Sequence, residues 1–250
     1  MIEKLLFGKI INLSDDMGVD TYSKDISSMF RWMQTLRLPP TPTILDIGAN
    51  VGLFSLSYAR MFKEANIHAF EPVPFIYDHL KKNLEINPKL NSNLNAYPFG
   101  MSNCVECRQL SIPAAQQHER YNDQSDIRLF SVLGQGEEKF DAQFTTIDQW
   151  VDDFQIRSVD FIKIDVEGYE YSVLEGAINT LLSFRPIVMF ELNQLTLTLS
   201  NRTATEYLRF AKDLDYNVFG LEYGYKTKLL KIASVEQLSL VSDLIIFPSQ

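Results

Sequence analysis

The sequence predicts an α/β fold organised around a mostly parallel sheet, and three observations carry that expectation. Short β-branched runs alternate with longer segments whose apolar residues recur every three or four positions. The strand-like run Thr43-Ile44-Leu45-Asp46-Ile47 leads into Gly48-Ala49-Asn50-Val51-Gly52 and then a helical pattern, which is a strand, a glycine-rich turn and a helix in succession. Acidic residues then recur just where predicted strands end: Asp46, Glu71, Asp165, Glu167 and Glu191.

Taken in order, residues 20–37 place Ile26, Met29, Phe30, Met33 and Leu36 along one helical face, and Pro39 with Pro40 ends it, so residues 1–42 read as an N-terminal helical extension. A strand over 43–47 precedes a helix over about 51–62; Asn66 to Phe70 makes the next strand, closed by Glu71-Pro72, and Phe75 to Asn87 the next helix, stopped by Pro88. Leu94 to Phe99 is a third strand that closes into a turn over Gly100 to Asn103. Residues 104–144 break the rhythm: strand-like Arg108 to Ile112 and Phe140 to Phe144 flank a polar stretch over 113–138, read as an insertion facing substrate or as a plain surface excursion. The alternation resumes with a helix at 146–153, a strand Val159 to Ile164, a helix Tyr169 to Leu182, a strand Ile187 to Phe190 and a helix at 203–214. Asn217 to Tyr223, Lys226 to Lys231 and Leu244 to Phe247 are extended, the last able to return antiparallel into the sheet. No linker divides the chain, so residues 43–250 form a single domain that carries the insertion.

At 250 residues and 46% hydrophobic content, the chain can fill one three-layer core. Its net charge of -9, with 23 basic residues in no long block, disfavours nucleic acid as a partner. No uncharged apolar run reaches the ~18 to 20 residues of a membrane span. The first twelve residues carry Glu3, Lys4 and Lys9, unlike a signal peptide, and the expected location is the cytoplasm. Cys104 and Cys107 are the only cysteines, without a second ligand pair to complete a zinc site, and no metal is assigned. His68, inside a predicted strand, reads as a packed residue.

In an open parallel sheet, ligands lie outside the carboxyl ends of the strands where the strand order reverses, and that rule selects the acids above. The turn differs from a dinucleotide fingerprint: Asn50 stands where the middle glycine would let backbone touch a pyrophosphate, and no glycine stands at Ser55. Glu71 lies nineteen positions beyond Gly52, the separation at which an acid receives ribose hydroxyls. Asp46, Gly48 and Glu71 together therefore imply a nucleoside-bearing ligand without requiring a diphosphate. Each acid also has a local explanation, since Asp165 or Glu167 can cap the helix that begins near Tyr169.

Ile44-Leu45-Asp46-Ile47-Gly48-Ala49-Asn50-Val51-Gly52, then Phe70-Glu71-Pro72, Thr145-Thr146-Ile147-Asp148, Asp160-Phe161-Ile162-Lys163-Ile164-Asp165-Val166-Glu167-Gly168-Tyr169-Glu170, and Pro186 to Glu191 resemble, in this order, the FkbM-type S-adenosylmethionine-dependent methyltransferases. The resemblance covers roughly residues 43–192. It implies a Rossmann-like, seven-stranded class I methyltransferase fold with the last strand antiparallel, and S-adenosylmethionine as cofactor. Gly48, Asn50 and Gly52 would shape the turn beside the methionine part, Glu71 with Pro72 would hold the ribose, Ser102 in the Gly100 to Asn103 turn would lie near adenine, and Asp46 and Asp165 would face the methionine ammonium or the methyl group. The implied acceptor is a hydroxyl of a sugar or another small molecule, with Asp165, Glu167 and Glu191, in that order, as candidate bases. A nicotinamide-dependent oxidoreductase and a non-catalytic nucleoside-binding protein are the competing readings. The least matched segments, 1–42, 104–144 and 193–250, would carry acceptor choice or homo-oligomer contacts.

Overall fold

The alternating apolar runs build an eight-stranded sheet in the computed structural model, which describes residues 2–6, 9–13, 25–90, 92–111, 139–222, 227–239 and 241–249. The chain begins with β1 (Ile2–Leu6) and β2 (Lys9–Leu13), a separate antiparallel hairpin, followed by α1 (Asp25–Met33). This corrects the expected purely helical extension: residues 2–13 pair with each other as strands, and one helix is present among the described residues before residue 43. Next come β3 (Thr43–Ile47), α2 (Leu53–Met61), β4 (Asn66–Phe70), α3 (Pro74–Glu85) and β5 (Leu94–Tyr97). β6 (Gly100–Met101), β7 (Glu106–Ser111) and β8 (Lys139–Thr145) make a small second sheet. The rest of the domain is α4 (Ile147–Asp153), β9 (Phe161–Ile164), α5 (Glu170–Glu175), α6 (Ile178–Phe184), β10 (Ile187–Asn193), α7 (Gln194–Ser200), α8 (Ala204–Asp213), β11 (Tyr216–Glu222), β12 (Lys228–Lys231) and β13 (Val241–Pro248).

The main sheet runs β12-β11-β13-β10-β9-β3-β4-β5. β10, β9, β3, β4 and β5 are mutually parallel, and β13 enters antiparallel between β10 and β11, as its late position in the chain suggested. The strand count is one more than the seven expected: β12 pairs antiparallel with β11 and covers what would otherwise be an open edge. From β3 the chain steps to β4 and β5 on one side, then returns to β9 and β10 on the other. The order thus reverses at β3 and β9, where their carboxyl ends open a crevice. Among the described residues, no helix is long and apolar enough to cross a membrane.

Strand side chains alternate between two apolar layers. Ile44, Ile67, Ala69, Phe161, Met189 and Ile245 pack with α1, α2 and α3, while Leu45, Ile47, Phe70, Ile162, Ile164, Val188, Phe190 and Leu244 pack with α4, α5, α6 and α8. His68 lies in the second layer, edge-on to Trp150 at 4.8 Å with Tyr97 Oη 3.1 Å from Nδ1, a packed residue whose pKa burial lowers to about 4. A third cluster joins Leu110, Ala142 and Phe144 of the small sheet to Val51 and Val73 in the turns after β3 and β4, with the Phe75 ring tilted against Phe140 at 5.1 Å between centroids. The stems of the insertion are therefore seated on the two turns that flank the crevice. The polar loop expected over 113–138 lies outside the described residues.

Three local differences have tertiary causes. The turn expected over Gly100 to Asn103 starts as β6, because Gly100 and Met101 pair with Phe144 and Thr145. The single helix expected from Tyr169 to Leu182 divides into α5 and α6 at Gly176, which backs onto the main chain of Ser102 so closely that an added Cβ would sit 1.9 Å from the Ser102 carbonyl oxygen. β10 runs on to Asn193, whose side chain then caps the unanticipated α7 by accepting from Leu195 N at 3.0 Å.

Gly176→Ala is expected to lower the free energy of unfolding by roughly 1–3 kcal/mol, the range for overpacking against atoms that cannot move aside. Gly220→Ala, whose Cβ would meet a flexible Ile232 side-chain atom at 3.3 Å, is the milder comparison. Urea denaturation of both variants checks this, and equal midpoints would contradict it.

Candidate active site

The glycine-rich turn is held in place on three sides, by main chain after β9 and β4 and by side chains of α3. Gly48 has φ +77°, and a Cβ there would lie 1.9 Å from the carbonyl oxygen of Asp165, so the turn after β3 and the turn after β9 touch main chain to main chain. Gly52, at φ +86°, approaches Leu80 of α3 so closely that a Cβ would lie 2.5 Å from its Cδ1. The amides of Gly48 and Ala49 both donate to Phe70 O, at 3.0 and 2.9 Å, which fastens the turn to the end of β4. Asn83 Nδ2 donates to Val51 O at 2.8 Å from α3. Asn50 is left-handed at φ 50°, with its side-chain oxygen accepting from Val51 N at 2.7 Å. Left-handed backbone at a non-glycine residue costs about 1–3 kcal/mol and persists where its surroundings over-determine it.

The two-residue repeat of the strands gathers charge on the α2 face of the sheet. Asp46 shares the parity of Ile44, Lys163 and Asp165 that of Phe161, Glu191 that of Met189, and Asp243 that of Ile245. Register does the rest: Asp46 lies beside Lys163, and Glu191 beside Asp243. Asp46 is fully buried; Ser55 Oγ of α2 donates to its Oδ2 at 2.5 Å, while its Oδ1 has no hydrogen-bond partner. Lys163, also buried, sits 2.9 Å from Asp165 Oδ2 and 3.9 Å from Asp46 Oδ1, under the Phe54 ring with 4.3 Å between Nζ and the ring centroid. Burial raises the Asp46 pKa, with Lys163 and the Ser55 hydroxyl opposing. Asp165 is the open end of this row, its side chain 40% exposed.

Glu71 is buried at the end of β4 and accepts two backbone amides, Asn50 N on Oε2 at 3.0 Å and Val73 N on Oε1 at 2.9 Å. It thereby ties the glycine turn to the turn before α3, with Pro72 between, and each oxygen keeps one further lone pair for a donor. Burial pushes its pKa up to about 7. Past β9 the backbone reverses through Glu167 at φ 53° and Gly168 at φ 98°, and the Glu170 carboxylate accepts Gly168 N at 3.0 Å and Val166 N at 3.2 Å to brace that reversal. Burial sets the Glu170 pKa at about 7. Glu167 is raised well above the usual carboxylate range by burial and by Asp165, Glu191 and Glu170. Glu191 rises to about 8 through burial, Asp165 and Asp243.

The structure brings Asp46, Gly48, Asn50, Gly52, Glu71, Pro72, Asp165, Glu167 and Glu191 to the carboxyl ends of β3, β4, β9 and β10. Ser102 lies apart from this row: it is fully buried at the root of the insertion, with its hydroxyl donating to Glu106 Oε1 at 2.9 Å and lying 3.4 Å from Tyr169 Oη. The sequence reading gave no role to Lys163, Asp243 or Glu170. Lys163 was detectable as a lone cation inside an apolar strand at the parity of Asp165; Asp243 depended on the register of β13, which no local pattern encodes. Among the described residues, no group of His, Cys, Asp or Glu has the arrangement of a metal site.

Comparison with known proteins agrees with this architecture. The family model of the methyltransferase FkbM domain matches residues 46–218. The methyltransferase sdnD of Sordaria araneosa is 32% identical over 160 residues, 56% of this chain, which spans 61% of that protein's length. The hexuronic acid methyltransferase AglP of Haloferax volcanii is 24% identical over 177 residues, 68% of this chain and 67% of that protein. Among solved structures, the methyltransferase FkbM from Methylobacillus flagellatus superposes with a TM-score of 0.53 at 16% identity over 94% of this chain and 56% of that one, a likeness of fold. The ordered motifs, the reversal of strand order at β3 and β9, and a family model that takes in both, place this chain in the FkbM methyltransferase domain family.

Proposed function

We propose that the protein transfers a methyl group from S-adenosylmethionine to a hydroxyl of a small, sugar-like acceptor. The observation that carries this reading is the row of carboxylates closed around the glycine turn, with the buried Asp46 Oδ1 lacking a hydrogen-bond partner. A site rich in anions and shaped for a nucleoside fits a cationic nucleoside. When bound, the cofactor supplies an electrophilic methyl on a sulfonium, so the protein's task is to hold and orient, to exclude water and to accept one proton.

Glu71 has a lone pair on each oxygen for ribose hydroxyls while its amide contacts fix its orientation. Asp46 and Asp165 offer negative charge to the ammonium and sulfonium. Among the candidate bases, Glu191 moves ahead of Asp165, because Lys163 already occupies Asp165 Oδ2 at 2.9 Å, whereas a carboxyl at about 8 is matched to taking a hydroxyl proton near neutral pH. Glu167, beside it, is the second choice. AglP, by its name a hexuronic acid methyltransferase, favours a sugar acid among the acceptors.

Glu71→Gln keeps the side-chain shape but replaces one accepting oxygen, and is expected to weaken S-adenosylmethionine binding at least tenfold by calorimetry; unchanged affinity removes Glu71 from the ribose role. Glu191→Gln is expected to lower kcat about 100-fold or more, within the usual worth of a general base, while cofactor affinity stays within threefold. Rates with hexuronic acid acceptors measure it, and an equal loss of affinity and rate would assign Glu191 to binding.

Glu71, Glu170 and Glu191 have folded pKa values of about 7, 7 and 8 against an ordinary 4.5, so the folded state keeps protons that the unfolded chain releases. The stability they add is complete below pH ~4.5 and is lost as pH rises toward 7 to 8; His68, at about 4, acts oppositely but is a single group. The thermal midpoint of the free protein is therefore expected to fall between pH 5 and pH 8. A bound cation favours the ionised acids, so S-adenosylmethionine binding at pH 7 is expected to release protons, read as a calorimetric enthalpy that changes with the buffer's ionisation heat. A midpoint that climbs with pH, or no buffer dependence, contradicts this account.

A further inference from the structure

At the opposite end of the sheet from the acidic row, a cavity of about 410 Å³ opens between the end of α2, the start of β4 and the segment that follows α3. Arg60, Lys63 and Lys89 line it, together with Ser92 and Asn93, over a floor that includes Phe62 and Ile67, and none of its lining residues is acidic. In a chain with 32 acidic residues against 23 basic ones, three cations around one cavity run against the overall balance. None of the three is in an ion pair among the described residues, and Arg60 Nε is buried without a hydrogen-bond partner. The carboxyl ends of α2 and α3 approach the same edge, and each presents about half a negative charge. Two such ends offset about one of the three positive charges, which leaves an excess available to a ligand.

We propose that this cavity binds a small organic phosphomonoester, with the phosphate held by Arg60, Lys63 and Lys89 and an apolar body resting on Phe62 and Ile67. Inorganic phosphate matches the charge but fills little of the volume. A neutral ring matches the floor but leaves the cations unmatched, and burying unpaired cations beneath it is unfavourable. The site is separate from the acidic row: Ile67 and Glu71 are four residues apart on one strand line, about 13 Å at the rise of a β-strand. Occupancy here therefore does not compete with a nucleoside at the crevice.

Phenyl phosphate, inorganic phosphate and phenol are the probes. Calorimetry with the whole protein at 50 mM salt is expected to give binding in the order phenyl phosphate, then phosphate, with phenol undetected, and at least a tenfold loss at 500 mM salt. Lys63→Ala with Lys89→Ala removes two exposed side chains and is expected to weaken phenyl phosphate at least tenfold while leaving S-adenosylmethionine affinity within twofold. Amide shifts at Ala65 and Asn93 would locate the ligand. The proposal is overturned if phenyl phosphate does not bind, if the double variant binds it equally well, or if S-adenosylmethionine displaces it. It is equally overturned if the double variant loses only thermal stability, which would assign both lysines to the helix ends alone.

Discussion

The contact between the missing Cβ of Gly48 and the carbonyl of Asp165 governs how the carboxyl edge of this sheet is assembled. With no side chain between them, the turn after β3 lies directly on the turn after β9, and the amide of Asp165 continues the ladder by donating to Ile47 O at 3.0 Å. The amides of Gly48 and Ala49 are then free to reach Phe70 O, which draws in the end of β4 and with it Glu71. Main-chain geometry, rather than attraction between side chains, gathers the acids. Two like charges about 5 Å apart at an effective dielectric near 20 repel by about 3 kcal/mol, so a cluster of this kind does not assemble itself.

Having been gathered, the acids are accommodated in two ways. Burial and mutual repulsion raise the pKa values of Glu71, Glu167, Glu170 and Glu191, so their charge near neutral pH is only partial. Asp46 and Asp165 instead share the neighbourhood of Lys163, an ammonium within 4 Å of both and roofed by Phe54. The opposite layer of the same strands is almost wholly apolar, because the alternation that puts Asp46 and Lys163 on one face puts Leu45, Ile47, Ile162 and Ile164 on the other. A sheet can thus carry a charged crevice on one face without weakening the core on its other face.

The parts of this architecture that were legible in the sequence are those encoded by neighbours along the chain. The strand before Asp46, the glycine turn, the Glu71 position and the Asp165 to Glu170 reversal each sit in one short window, where β-branching, glycine placement and a following amphipathic pattern speak together. What escaped depends on pairing between distant segments. β6 exists because β8 passes beside it forty-odd residues later in the chain; the helix at 170–184 divides because Ser102 occupies the space beside Gly176; the hairpin at 2–13 is defined by its pairing rather than by composition. Asp243 joined the site only through the register of β13, and the Ser102 hydroxyl turned out to be bonded to Glu106 at the root of the insertion.

The second sheet has an architectural consequence. β7 and β8 are zipped from Ser111↔Lys139 down to Glu106↔Phe144, β6 is stitched to the same end of β8, and Ser102 is clasped to Glu106 at the root. Strain from a change in length between Ser111 and Lys139 would be absorbed by that six-rung zipper before it reached the glycine turn. The cradle can therefore keep its sterically fixed geometry while the length of chain between Ser111 and Lys139 varies. For protein engineering, the same boundary marks where a foreign loop could be grafted with the rest of the domain left as it is.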